Sequence, residues 1–198
     1  MDDDALAGRL AENLDGAFEA LVLAHQDRLY TIALRLLGSA EDAEEVAQDA
    51  LVRAYRALAG WDSARIRALQ LRPWLATIAV NLARNRRRRH ADRHPPLSLA
   101  RLVDAGLEPA ASETAGPVAT GIRREAATAW AERLLRCPPA LRTVVILRHV
   151  DGLTYDEIAR ALDRPIGTIK AQVHRGLANL RGQLDAERVA GTLEEVSA

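Results

Sequence analysis

The segment Leu153–Arg181, LTYDEIARALDRPIGTIKAQVHRGLANLR, predicts two short helices joined by a tight turn. Thr154 and Glu157 have the spacing of a capping box, in which two side chains satisfy free backbone groups at a helix start. Pro165 interrupts the first helix because it lacks an N–H, and it suits the first turn of a second helix. Apolar residues then recur at three- and four-residue spacing and mark a buried stripe: Ile166, Ile169, Val173, Leu177, Leu180 and Leu184. The pattern is that of a helix-turn-helix.

The opposite face of the second helix carries small, polar and cationic residues near its start: Thr168, Lys170, Ala171, His174 and Arg175. A major groove admits such residues, and phosphates attract the cationic ones. We therefore expect DNA binding. Pairs of amphipathic helices also occur in helical proteins that never touch DNA, and this segment alone does not separate a repressor, an activator and a part of the transcription machinery.

The composition favours an all-α protein of one domain or two small ones. The chain has 198 residues, of which 48% are hydrophobic and only 4% aromatic, with frequent Ala and Leu. Its 27 basic and 27 acidic residues balance, so the chain is not a general polyanion binder. The single cysteine, Cys137, excludes an internal disulfide and fits a reducing cytosol. An acidic N-terminus and the lack of a long apolar run predict a cytoplasmic protein without membrane insertion.

The N-terminal half predicts a bundle of three helices. The first spans about 15–37, with Asp15 as its cap and Gly38 as its end. The second runs from Ser39 to Gly60, and the third starts at Pro73 after a polar connection and becomes strongly basic. Short connections between three amphipathic helices are typical of a bundle.

Residues 94–121 are rich in Pro and Gly and predict a flexible linker. Helical patterning resumes near Ile122, with helices of about 122–136 and 139–150 before the helix-turn-helix. We therefore expect two small helical domains, 1–93 and 122–183, joined by the linker 94–121 and followed by a short tail, 184–198.

The third helix ends in a basic segment that suits nucleic acid. Between Arg84 and Arg93 the only acid is Asp92, and the candidate cations are Arg84, Arg86, Arg87 and Arg88. Asn81 and Asn85 share one helix face and offer the donor and acceptor groups that read a base edge. Trp61, in the polar connection, could stack on an unpaired base. The alternative is a solvated helix end, since cations suit a helix C-terminus.

The acidic cluster Glu41–Asp49 opens the second helix, where carboxylates complement the helix dipole. Docking to a basic protein partner is its more specific interpretation. The sequence shows no Gly-rich phosphate loop, no G-x-S-x-G and no paired-cysteine motif, so we expect neither an enzyme nor a cofactor. His90 and His94 lie four residues apart but lack further ligands, and we expect no metal site.

Two regions together resemble a known family. The segments AEDAEEVAQDALVRAYRAL (40–58) and RPWLATIAVNLARNRRRR (72–89) resemble the second conserved region of bacterial RNA polymerase sigma factors. Residues 141–181, ending in GTIKAQVHRGLANLR, resemble their fourth region. Two modules and a tether, without the other modules of primary sigma factors, resemble the extracytoplasmic-function (ECF) group.

The resemblance implies three surfaces. Five residues would dock on the polymerase beta-prime clamp: Asp42, Glu45, Gln48, Asp49 and Arg53. The loop from Gly60 to Leu71, with Asn81, Arg84 and Asn85, would open and read the minus-ten element, where the family flips a base out of the stack. The second helix of the helix-turn-helix would read the minus-thirty-five element through Lys170, Ala171, Gln172, His174 and Arg175, with Gly167 and Thr168 near phosphates.

The implied partners are core RNA polymerase, through its beta-prime clamp and beta flap, promoter DNA and an anti-sigma factor, with a monomeric free chain. Two departures from the family pattern stand out: a long loop between Leu58 and Pro73, and Ala171 where a polar residue is common. Ala171 would favour a thymine methyl. The main rival is a conventional helix-turn-helix repressor or activator that binds duplex DNA. An enzyme with a nucleic-acid-binding appendage is a third reading.

Overall fold

The computed structural model describes residues 2–91 and 117–196, and within these ranges every regular element is helical. The expected all-α class is therefore confirmed. In chain order the helices are α1 (Asp3–Glu12), α2 (Leu14–Leu37), α3 (Ala40–Ala59), α4 (Ser63–Arg67), α5 (Leu71–Ala91), α6 (Pro117–Arg136), α7 (Pro139–Val145), a π-helical segment (Ile146–Val150), α8 (Tyr155–Leu162) and α9 (Ile166–Val196).

Helices α2, α3 and α5 form the predicted N-terminal bundle. Gly38 ends α2 with a φ of 75°, a conformation that glycine adopts without a Cβ penalty. Ser39 caps α3 by accepting from the Asp42 N–H. The predicted cap of α2 is wrong, because the Asn13 side chain, and not Asp15, accepts from the backbone at Gly16 at 3.0 Å.

Two N-terminal helices lie outside the sequence prediction. Helix α1 buries Leu6, Ala7 and Leu10 and packs on α2 and α4. Helix α4 lies within the predicted polar connection, where Asp62 caps it and Ile66 is buried. Each has too few apolar positions for a clear periodic signal, so packing against the bundle stabilises them more than local propensity does.

The C-terminal half is built around α9. The capping box at the start of α8 is confirmed, since Thr154 and Glu157 make both of its hydrogen bonds. A Cβ added at Gly176 would lie 2.5 Å from Val145 Cγ2, so this glycine permits the close approach of α7 and α9. The prediction that Ile166 belongs to the buried stripe is wrong, because Ile166 lies in the first turn of α9 and is 36% exposed.

Two helices extend beyond their predicted boundaries. Helix α6 begins at Pro117, before the predicted start near Ile122, and residues 92–116 of the linker region lie outside the described residues. Helix α9 continues through most of the expected tail, and Arg133 of α6 contacts Glu187 of α9 at 2.6 Å. The four domain ranges themselves stay predictions.

The two halves pack against each other. Helix α2 contacts α6, α7 and the π segment, α5 contacts α8, and buried residues of both halves form one apolar cluster. Arg142, only 7% exposed, donates to the carbonyls of Leu36 (2.8 Å), Cys137 (3.1 Å) and Leu135, near the ends of α2 and α6. A buried cation thus satisfies carbonyls that helix ends leave free.

Candidate DNA and polymerase interfaces

The helix-turn-helix presents one continuous exposed face. Ile158 of α8 and Ile169 and Val173 of α9 are buried and fix the angle between the two helices. Asp163 closes α8 in the left-handed conformation, with a φ of 50°. The predicted DNA-facing residues of α9 lie on the outside, all exposed except the half-buried Gln172: Gly167, Thr168, Lys170, Ala171, Gln172, His174 and Arg175.

One residue of this region was missed by the sequence interpretation. Arg164 lies in the turn between α8 and α9, is exposed, and donates to the Gln172 side chain at 3.2 Å. Lys170 Nζ lies 5.8 Å from the centre of the Tyr155 ring, within the range of a cation–π contact. The sequence did contain a signal for Arg164, namely an arginine placed between the two predicted helices of the helix-turn-helix.

The outer face of α5 carries the predicted minus-ten residues. Asn81, Arg84, Asn85 and Arg88 are exposed, and Arg84 donates to the Asn81 side-chain oxygen at 2.8 Å. Arg87 is half-buried, and burial, followed by repulsion from Arg84, lowers its pKa from the ordinary value. The face therefore combines amide groups that can read bases with cations that can hold phosphates.

Arg86 behaves differently from its neighbours. Its guanidinium is half-buried, donates to the Asp42 carboxylate at 2.7 Å, and also donates to Glu45. The hydrogen bond to Glu45, followed by that to Asp42, holds the pKa of Arg86 above its ordinary value. The structure thus joins a predicted DNA-binding residue to two predicted polymerase-docking residues.

Trp61 is half-buried against the bundle and not free in a loop. Its ring centre lies 5.2 Å from that of Trp74, and the Arg65 guanidinium covers it at 4.0 Å. A base could stack on Trp61 only if Arg65 moved aside. Arg65 is a second residue that the sequence interpretation missed, since only the fold places α4 over this ring.

The predicted docking surface lies on α3. Glu45, Gln48, Asp49 and Arg53 are exposed on its outer face, whereas Asp42 is half-buried through its ion pair with Arg86. An apolar groove adjoins this face between α2 and α3, lined by Phe18, Val22, Gln48, Leu51, Val52, Tyr55 and Arg56. The surface can therefore bind a partner through both charge and apolar contact.

Residues 2–91 and 117–196 offer neither a metal-binding cluster nor a membrane-spanning helix. The described His, Cys, Asp and Glu side chains form no group that could hold a metal ion. His94 lies outside the described residues. None of the described helices combines the length and the apolar character that crossing a membrane requires.

The class that this fold defines is an all-α protein of two packed helical halves, the second of which contains a helix-turn-helix. Two family models match the chain, Sigma-70 region 2 over residues 21–93 and Sigma-70 region 4 over residues 129–180. The ECF RNA polymerase sigma factor SigW of Bacillus subtilis is 34% identical over 175 residues, covering 85% of this chain and 89% of that protein. The ECF RNA polymerase sigma-E factor of Escherichia coli is 30% identical over 177 residues, covering 87% and 89%.

The fold is also similar to the folds of solved structures. The structure of CnrH in complex with the cytosolic domain of CnrY matches with a TM-score of 0.65 and 26% identity, covering 93% of this chain and 97% of that chain. The sigma factor RpoE of Bartonella quintana, solved with the anti-sigma factor NepR, shares the fold with a TM-score of 0.61 and 22% identity, covering 85% and 96%.

The chain belongs to the ECF group of RNA polymerase sigma factors. It directs transcription initiation, and its family binds core RNA polymerase and promoter DNA. The reading as a conventional repressor or activator is not favoured.

Proposed function

We propose that three separate faces of the chain perform three tasks in transcription initiation: polymerase docking, recognition of the minus-ten element and recognition of the minus-thirty-five element. The observation that carries the proposal is their simultaneous exposure: Glu45, Gln48 and Asp49 on α3, the amides of α5, and the cationic face of α9. Each face has a chemistry suited to a different target, and the residues between them are buried in one core. The assignment of individual residues follows from this arrangement.

Polymerase docking is assigned to α3. Glu45, Gln48, Asp49 and Arg53 contact the beta-prime clamp, and the apolar groove beside them adds buried area. Charge at the rim sets association rate and specificity, while apolar contact supplies much of the affinity. Asp42 acts indirectly, by fixing Arg86 against α3. The beta flap contacts the C-terminal half.

The minus-ten element is assigned to α5 and the α4 region. Asn81 and Asn85 read base edges, and Arg84, Arg87 and Arg88 hold the backbone. Trp61, once Arg65 is displaced, offers a stacking surface to a base that has left the duplex.

The minus-thirty-five element is assigned to α9. Lys170, Ala171, Gln172, His174 and Arg175 enter the major groove, while Gly167 and Thr168 lie beside phosphates. Arg164 joins this face through its contact with Gln172. Ala171 presents only a methyl group, which suits a thymine.

The remaining partners follow from relatives. CnrH and RpoE were solved with CnrY and the anti-sigma factor NepR, and we extend an anti-sigma partner to this chain. We further propose that the chain acts in the cytoplasm, is monomeric when free, and carries no chemistry of its own, so that catalysis belongs to the polymerase.

Charge reversal on α3 tests the docking assignment. Asp49→Arg should weaken association with core polymerase at least tenfold, as measured by fluorescence anisotropy of the labelled chain, and leave the helical circular dichroism unchanged. The matched control is Asp185→Arg, an exposed acid on α9 in the other half. Equal affinity of Asp49→Arg and the wild type would remove Asp49 from the docking surface. No association of the wild type at all would support the conventional regulator.

A further inference from the structure

A cleft of about 340 Å³ lies where the two halves of the chain meet. One wall comes from α2 and α5 and includes Leu36 and Val80. The other comes from the start of α7, from the end of α8 and from the turn that follows α8, and it includes Ala140 and Leu162. The cleft therefore exists only while the two halves are packed together.

The cleft is strongly basic. Arg84 and Arg87 enter its lining from α5, and Arg164 enters from the turn of the helix-turn-helix. The described residues that line it include no carboxylate. Three arginines thus line one small space whose lining carries no opposite charge, an arrangement that favours an anion there.

Arg87 is the cation at which this imbalance is clearest. It is half-buried, and burial and Arg84 both act to lower its pKa. Among the side chains that the structure describes, no hydrogen bond or ion pair engages its guanidinium. Burial and then repulsion from Arg87 lower the pKa of Arg142, whose own N–H groups are already occupied by backbone carbonyls.

We propose that this cleft binds a small anion that carries a diphosphate group. Arginine forks match phosphate oxygens in pairs, and three forks can engage two linked phosphoryl groups from different sides. The volume lies within the usual range of small-ligand pockets. A DNA duplex is far wider than the cleft, so its phosphates reach these arginines only from outside.

The anion would act on initiation as well as on stability. It bridges Arg84 and Arg87 of one half to Arg164 of the other, and so stabilises the closed chain. It also withdraws Arg84 and Arg87 from the minus-ten face, so it competes with promoter DNA. This consequence depends on the proposed function, whereas the binding itself does not.

Isothermal titration calorimetry of the full chain without polymerase tests the binding. The probes are pyrophosphate and adenosine diphosphate, which separate a free diphosphate from a nucleotide, with sodium chloride at equal ionic strength as the blank. Saturable 1:1 binding of either probe is expected. The double substitution Arg87→Gln with Arg164→Gln should weaken it at least tenfold, and Arg181→Gln, an exposed arginine of α9 outside the cleft lining, should leave it within twofold.

Thermal unfolding of the same variants keeps the test decisive if the double substitution perturbs the fold. The single variants Arg87→Gln and Arg164→Gln, each with an unchanged melting temperature in chloride, should each lose most of the stabilisation that the bound probe gives. No binding of either probe, or equal loss in Arg181→Gln, would overturn the proposal. Binding of a short DNA duplex that depends on Arg164, without any binding of the probes, would overturn it in favour of DNA alone.

Discussion

Arg28 on α2 forms a two-pronged ion pair with Asp151, whose side chain is fully buried, and the Nη2–Oδ2 distance is 2.6 Å. The same guanidinium donates to the Arg72 carbonyl at 2.9 Å, and Arg72 donates to the Asp151 carbonyl at 2.7 Å. Of these four hydrogen bonds, three join the N-terminal half to Asp151 of the helix-turn-helix half, and the fourth ties Arg28 to Arg72 within the N-terminal half. The closed arrangement rests on this clasp as well as on the shared core.

Asp151→Asn should open the clasp. The substitution leaves the Arg28 guanidinium, 16% exposed on its side chain, without its charged partner, and breaking a buried ion pair costs about 3 kcal/mol. We expect a lower melting temperature and a larger radius of gyration by small-angle X-ray scattering. Asp156→Asn, at an exposed acid of α8, is the control. An unchanged radius with unchanged stability would show that the clasp does not hold the halves together.

Arg86→Gln should weaken polymerase binding more than DNA contact. Without the guanidinium, Asp42 and Glu45 lose the partner that orients them on α3. Because these pairs are partly exposed, we expect a loss of about 1 kcal/mol, or roughly fivefold in affinity for core polymerase by anisotropy. Arg88→Gln, an exposed neighbour, should leave this affinity unchanged. A smaller loss of core-polymerase affinity in Arg86→Gln than in Arg88→Gln would contradict this role and would favour Arg86 as a DNA-binding residue.

His25 should make the stability of the chain depend on pH. Its ring is 3% exposed, neither ring nitrogen has a hydrogen-bond partner among the described residues, and burial lowers its pKa below 6.5. The unfolded chain therefore binds the proton more tightly, so the free energy of unfolding falls as the pH drops below about 6.5 and levels off below the folded-state pKa.

Comparing His25 variants with the wild type isolates the contribution of His25 to this pH dependence. Urea unfolding at pH 7.5 and 5.0 should show a smaller loss of stability for His25→Leu than for the wild type. Asp3, with Oδ1 3.5 Å from His25 Nε2, opposes the shift, so Asp3→Asn should enlarge the loss. Identical pH dependence of the wild type and His25→Leu would assign the effect to other groups.

Local signals in the sequence were sufficient for much of the fold. The capping box of Thr154 and Glu157 and the stop at Gly38 each depend on residues within four positions of one another, and both were predicted correctly. Helix α1 was missed because three buried residues in ten give little periodicity. The cap at Asn13 was missed because Asp15 has an equally suitable side chain two residues later.

Long-range pairs could not be predicted in the same way. The partners of Arg86 lie 41 and 44 residues away, and Arg28 and Asp151 of the clasp lie 123 residues apart, so no spacing rule indicates these pairs. The exposed faces of α5 and α9 were predicted because helical periodicity alone separates outside from inside. The position of Trp61 depends on α4 and Trp74, and therefore on the tertiary fold.

Arg175→Ala should separate upstream recognition from docking. Arg175 is exposed, so its removal should change stability by less than about 0.5 kcal/mol. A lost arginine contact to a base or phosphate costs about 1–3 kcal/mol, roughly five- to 150-fold in use of the minus-thirty-five element. Promoter binding by the reconstituted holoenzyme, and core association in parallel, measure the two effects. Equal loss of both would indicate misfolding.

Transcription by core polymerase with and without the chain tests the central claim most directly. The template is a library of genomic fragments from the source organism, and the 5′ ends of the transcripts are sequenced. We expect a defined set of new transcription start sites that share two spaced promoter elements. The double substitution Asn81→Ala and Asn85→Ala should relax the sequence requirement at the downstream element only, and Arg175→Ala should relax it at the upstream element only. Two results would contradict the proposal that each half of the chain recognises one promoter element: the same start sites with and without the chain, or loss of both elements in either variant.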